Sequence, residues 1–199
     1  NNVEEISIAL IPDSYAHIDS KYAKYQGSKV KFFGPGLEKE KTYTVAELES
    51  KQTAAKTLDY SMLNKAGTSS EARYRGIAVY DLFKEVGINN NAGDVTVNCS
   101  DGSSYTYSLM LLKKSYENFI NPAKDEVYPM LAYGSGEVDG DKMQGTPLTD
   151  DGPLMLIVPQ ESKDSVNKSL CLKNVVSLYV DANEVNTWSH SMSGVFSEF

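Results

Sequence analysis

The chain has 199 residues, 41% of them hydrophobic, and a formal net charge of −8. That length suits one domain with a small extension, with enough apolar side chains to bury a core. The acidic balance and scattered Lys and Arg exclude the basic stripe that nucleic acid or an anionic membrane requires, and no apolar run approaches the roughly 20 residues of a membrane helix, so a soluble chain with no nucleic-acid partner and no membrane insertion is expected.

The first strand signal is EISIALIP at 5–12, where Ile6, Ile8 and Leu10 alternate onto one face. Residues 13–28 are polar and tyrosine-bearing and define no element. KVKFF at 29–33 reads as a strand closed by Gly34-Pro35-Gly36. Thr44-Val45-Ala46-Glu47 has the capping-box pattern, in which hydroxyl and carboxylate satisfy each other's backbone N–H, so a short helix should run to about Lys51. TLDYSML at 57–63 reads as a strand with Leu58, Tyr60 and Met62 on one face and Thr57, Asp59 and Ser61 on the other. A polar loop is expected from there to Arg75. Val79, Leu82, Phe83 and Val86 then fall on one helical face, stopped by Gly87.

DVTVNCSDGSSYTYSL at 94–109 reads as a hairpin. Val95, Val97 and Cys99 line one face, Asp101-Gly102 supplies the positive φ of a tight turn, and Tyr105, Tyr107 and Leu109 alternate on the return. Leu112, Tyr116, Phe119 and Ile120 suggest a short helix ended by Asn121-Pro122. Residues 127–133, 154–158 and 172–180 read as strands; in the last, Leu172, Val176, Leu178 and Val180 share a face and Asn174 interrupts. The tail from Asp181 is polar, with Trp188, Val195, Phe196 and Phe199 as anchors. Strands dominate without regular alternation with long helices, which argues an α+β fold with a mixed sheet. The chain divides into an N-terminal strand and polar extension (1–29), a domain (30–181) and a C-terminal tail (182–199). Its start at Asn1, without methionine, reads as a trimmed chain.

Catalytic and metal motifs are sparse. His17 and His190 lie at opposite ends with no His or Cys partner at helical or turn spacing, and there is no G-x-S-x-G elbow, so both read as surface histidines. No phosphate-binding loop is present, and Gly134-Ser135-Gly136 reads as a turn. Asp139, Asp141, Asp150 and Asp151 miss the spacing of a calcium loop and read as a solvated acidic loop, with weak calcium binding as the alternative. Cys99 and Cys171 read as buried free thiols, with a bridge between them as the alternative.

Six segments carry a resemblance: YTVAELES (43–50), YRGIAVYDLFKEVGI (74–88), VTVNCSDGSSYTYSL (95–109), MLAYG (130–134), GTPLTDDGPLMLIVP (145–159) and LKNVVSLYV (172–180). In this order, over residues 30–181, they resemble the sulfite-oxidase-type, molybdopterin-binding oxidoreductase domain. The resemblance implies a strand-rich α+β fold with short helices, molybdopterin as cofactor, and a loop at 145–152 forming one wall of a cleft. It implies cofactor-binding positions at Ser61, Asn64, Asp101, Gly102, Asp151, Gly152 and Lys173, where Lys173 stands in place of a lysine that helps hold the pterin's anionic groups. Catalytic residues are not assigned.

The chain departs from that pattern at three places. Ser61 stands where the family has its molybdenum-ligating cysteine, and a hydroxyl is a poor substitute for a thiolate. Met155 replaces the arginine after Gly-Pro, and Asp151 the histidine often found before that glycine. Each charge-assisted hydrogen bond so lost is worth about 1.5–3 kcal/mol. The resemblance therefore implies an exported or cell-surface domain of secreted bacterial type with a degenerate site. Such a domain acts as a binding or structural module, with a small organic or sugar ligand in the cleft. Tyr60, Tyr105, Tyr107 and Tyr133 are candidate cleft residues, with ordinary core packing as the other reading. The alternative is a divergent molybdopterin-dependent oxidoreductase in which Ser61 or water completes the metal shell. A third reading is an architectural domain whose cleft is filled by its own side chains.

Overall fold

A computed structural model describes residues 27–122, 126–136, 143–145 and 154–183. The strand expected at 5–12, most of the loop at 145–152, the acidic cluster, both histidines and the aromatic tail lie outside the described residues. Within them the elements run β1 (Lys29–Phe33), β2 (Lys41–Thr44), α1 (Val45–Ser50), β3 (Ala55–Leu63), β4 (Ser69–Ala78), α2 (Val79–Val86), β5 (Ala92–Cys99), β6 (Ser104–Tyr107), α3 (Leu109–Lys113), β7 (Met130–Gly136), β8 (Met143–Gly145), β9 (Met155–Ile157), β10 (Leu172–Lys173) and β11 (Val175–Ala182). This is the α+β class expected from the sequence.

Local chemistry sets several boundaries. The capping box forms at α1: the Thr44 amide donates to Glu47 at 2.6 Å and the Glu47 amide to the Thr44 hydroxyl at 3.1 Å. α2 buries Val79, Leu82, Phe83 and Val86, and ends where Gly87 turns left-handed at φ 89°. In the β5–β6 hairpin only Gly102 takes positive φ, at 83°. Asp101 serves differently from the two-residue turn expected: its carboxylate accepts from the Ser103 amide at 2.9 Å and hydroxyl at 2.6 Å.

The strands form two sheets. The first runs β2-β1-β11-β5-β6, with β1 parallel to β11 and the other pairs antiparallel. The second runs β10-β9-β7-β4-β3 and is antiparallel throughout; β8 joins β7 beyond the stretch that pairs with β9. The three helices and one face of the second sheet cover one face of the first, building a core that includes Phe32, Leu82, Phe83, Val97, Leu156 and Leu178. The opposite face of the second sheet carries a smaller core of Tyr60, Met62, Tyr74, Met130, Met155 and Ile157. All three residues of β9 are therefore buried.

Four sequence readings change. Gly134-Ser135-Gly136, read as a turn, is the end of β7, where it pairs with β4 on one side and β8 on the other. The expected polar loop before Arg75 is largely β4, whose Arg73 and Arg75 are satisfied across the ladder by Asp59 and Thr57; its charges hide the alternation. The helix expected through Ile120 ends at Lys113, and Tyr116 instead bridges Val127 while its hydroxyl donates to the Leu111 carbonyl at 2.9 Å. The single strand expected at 172–180 is two. Asn174 adopts φ 58°, and the chain passes there from the second sheet into the first. Val176 consequently turns outward, 39% exposed, at a bulge in the β11–β5 register.

Candidate functional site

Ser61 lies on β3, opposite Glu71 of β4. The alternation read from the sequence holds, with Tyr60 and Met62 buried in the smaller core on either side of it. The cavity that Ser61 lines also has Asp59, Glu117, Asn118 and Gln160 on its walls and a volume of about 10 Å³. That is about the space of one water molecule. Its buried polar walls are already engaged. Asp59 is held by Arg73 through two bonds of 2.6 and 3.1 Å. Asn118 accepts from the amides of Ile120 and Asn121, and Gln160 donates to the carbonyls of Lys163 and Ser165.

The outer edge of β3 is closed by Asn167, a residue the sequence reading did not single out. Its side-chain oxygen accepts from the Leu63 amide at 2.9 Å. Its side-chain nitrogen donates to the Ser61 carbonyl at 3.1 Å and to the Val158 carbonyl at 2.8 Å. Val158 follows β9, which is not a neighbour of β3 in the strand order, so the sheet curls until these two segments meet across one side chain. Asn167 is 2% exposed. Two of these bonds, with that of the Asn167 amide to the Leu63 carbonyl at 3.2 Å, cap the Ser61–Leu63 end of β3 on its outer edge, where it has no strand partner among the described residues.

The other positions implied by the resemblance are dispersed among turns and strands. Asn64 begins the β3–β4 turn, where its side-chain oxygen accepts from the amides of Ala66 and Thr68, both at 2.9 Å. Asp101 and Gly102 form the β5–β6 turn. Lys173 is exposed on β10, paired with Met155 of β9. Asp151 and Gly152 lie outside the described residues. Met155, at the family's arginine position, is 6% exposed in the smaller core.

The two thiols and three of the four candidate tyrosines are packed on the cores. Both cysteines are free, as the sequence reading favoured. Cys171 lies against the smaller core, and burial pushes its thiol up to about 11. Burial also raises the Cys99 thiol, with Asp101 adding to the shift and Ser103 opposing it. Neither favours the thiolate that binds metal. Tyr60, Tyr107 and Tyr133 belong to the two cores, whereas Tyr105 is 43% exposed. The Tyr60 hydroxyl donates to the Tyr128 carbonyl at 2.7 Å and that of Tyr107 to the Leu170 carbonyl at 2.8 Å. Burial raises both phenols well above their ordinary value. Among the described residues no group of three or more His, Cys, Asp or Glu is placed to hold a metal ion, and no helix is long and apolar enough to cross a membrane.

A pterin does not fit beside Ser61 among the described residues. Ligand pockets of that kind enclose roughly 300–1,000 Å³, and the hollow here holds about one water molecule and is walled by two carboxylates.

No protein-family model matches the chain, and no curated protein sequence matches it. Among solved structures, the chain is similar to the crystal structure of the sulfane dehydrogenase SoxCD from Paracoccus pantotrophus, with a TM-score of 0.54 at 15% identity. The match covers 81% of this chain and 40% of that one, so the chain spans less than half the length of its neighbour. At that identity the likeness is one of fold, and it supports a distant fold relationship.

Proposed function

We propose that the chain is a binding or structural module built on a sulfite-oxidase-type scaffold, within an exported or cell-surface protein, and that it does not work as a molybdopterin oxidoreductase. The fold likeness to a dehydrogenase of a sulfur compound supports the scaffold. The observation that carries the loss of chemistry is the closure around Ser61: a hydroxyl in place of the thiolate, a hollow of about 10 Å³, and a strand edge occupied by Asn167. Assignment to the cell surface rests on the resemblance and is tested by fractionating the source cells with an antibody to the chain.

The enzymatic alternative keeps the cofactor without a cysteine ligand, using Asn64, Asp101, Lys173 and the 145–152 loop. Elemental analysis after expression in a host that makes the molybdenum cofactor separates the two readings. The module reading expects far less than one molybdenum per chain, in the native protein and in Ser61→Cys alike, because restoring sulfur does not enlarge the hollow. Stoichiometric molybdenum in the native protein overturns it. Met155→Arg is unsuited to this test, since it would bury a guanidinium in the smaller core without a partner carboxylate among the core residues there.

A further inference from the structure

Away from Ser61, two adjoining hollows of about 420 and 550 Å³ open where α2, α3 and the start of β5 come together. They share Tyr80, Ser108, Met110 and Lys113 as a common wall. Each is within the size range of small-molecule sites, roughly 300–1,000 Å³. The frame beneath them is fixed by hydrogen bonds: the Asn89 side chain donates to the Pro35 carbonyl at 3.0 Å, and the Asn183 amide to the Asn91 carbonyl at 2.7 Å.

Four of the side chains that line this groove are, in contrast to the engaged ones around Ser61, free to take a ligand. Asn90, Asp94 and Lys113 are exposed, and no hydrogen bond within the described residues engages their side chains or the Tyr80 hydroxyl. An amide offers donor and acceptor together, a carboxylate accepts twice, and an ammonium donates three times. Adjacent hydroxyls on a sugar ring need that mixture. Tyr80, Leu109 and Met110, the last 66% exposed, add the apolar surface that meets the C–H face of a pyranose. Charge is balanced, with Lys113 against Asp94 and Lys114 paired with Glu161 at 3.1 Å, which disfavours a phosphate or other simple anion.

We propose that this groove is a carbohydrate site that takes a saccharide of two linked hexose units, one ring to each hollow. The site is separate from Ser61 and stands whether or not the reading of that region does.

The test uses the full chain. Saturation-transfer NMR with cellobiose, lactose, maltose and chitobiose reads free saccharides, and retention on insoluble cellulose and chitin reads polymers. At least one of these six should bind, a free disaccharide with Kd on the order of 1 mM. Asp94→Ala and Asn90→Ala should each weaken that binding about 2- to 10-fold, the worth of one hydrogen bond. Because both residues are exposed, thermal melting should not change. Retention on polymer alone, lost in Asp94→Ala, identifies the source as a polysaccharide and supports the proposal. Binding to none of the six, or binding that both variants leave intact, overturns it.

Discussion

At the scale of single residues, Asn167 governs the region around Ser61. Its side chain satisfies one amide and two carbonyls drawn from β3 and from the residue after β9. Asn167→Ala leaves those groups without partners in a buried setting, and the cost should be about 2–4 kcal/mol. Urea denaturation reads this as a lower midpoint at unchanged slope, and a loss below about 0.5 kcal/mol, the size of an ordinary surface substitution, would refute the role. The strand and face of Ser61 were legible because alternation along β3 is a local pattern, while its candidacy for a site came from the resemblance. Asn167 was not legible: it sits 104 residues from Leu63, in a polar stretch without periodicity. Asn64 and Asp101 entered as cofactor-binding positions through resemblance alone. The structure places both in turns, where short polar side chains accept from backbone amides nearby.

At the scale of elements, the break between β10 and β11 turns on one backbone conformation. Asn174 at φ 58° occupies the left-handed region, which Asn and Gly enter readily and β-branched residues do not. Its carbonyl also accepts from the Ser100 amide at 2.9 Å, tying the switch to the β5–β6 turn. Both Asn174→Gly and Asn174→Val remove the buried amide, but only Val also meets the left-handed strain, so Asn174→Val should be about 1–2 kcal/mol less stable than Asn174→Gly. Thermal melts of the two variants check this; equal stability would show that the left-handed turn is not what holds the switch. The two strands read as one because Leu172, Val175, Leu178 and Val180 all pack on the larger core, so the apolar pattern runs on across the break at Asn174. α2 was readable down to its four core residues because its face and its stop signal agree. β4 was missed because its polar pattern makes sense only against β3, where Asp59 pairs with Arg73 and the Thr57 hydroxyl accepts from Arg75.

At the scale of the whole molecule, the two cores lie on opposite faces of one sheet, so β7 and β9 contribute to both. The α+β class followed from composition and element order. Which strands share a sheet did not, because that pairing joins residues far apart in the chain. Global stability should also carry a pH signature from Glu49 on α1. Burial lifts its carboxyl from an ordinary 4.5 to about 7, with Arg75 pulling the other way. Between those values the folded chain holds a proton that the unfolded chain has released, so stability should fall as pH rises from about 4.5 to 7. Glu49→Gln should flatten that slope and make the protein more stable than native at pH above 7, as read by denaturation midpoints across the range. Glu47, Glu85 and Asp101 are shifted downward, so their contribution is lost only as the medium becomes more acidic than this window.

The sealing of β3 also bears on how copies of this chain meet. A strand margin whose amides and carbonyls are already matched offers nothing for a second molecule to zip onto, and Asn167 provides that match at Ser61 and Leu63. The far side of β6 has no such guard among the described residues, and Ser104, Tyr105 and Thr106 stand exposed there at the end of the first sheet. Crowded solutions should therefore recruit neighbours along the Ser104–Tyr107 strand and leave the Ser61 side untouched.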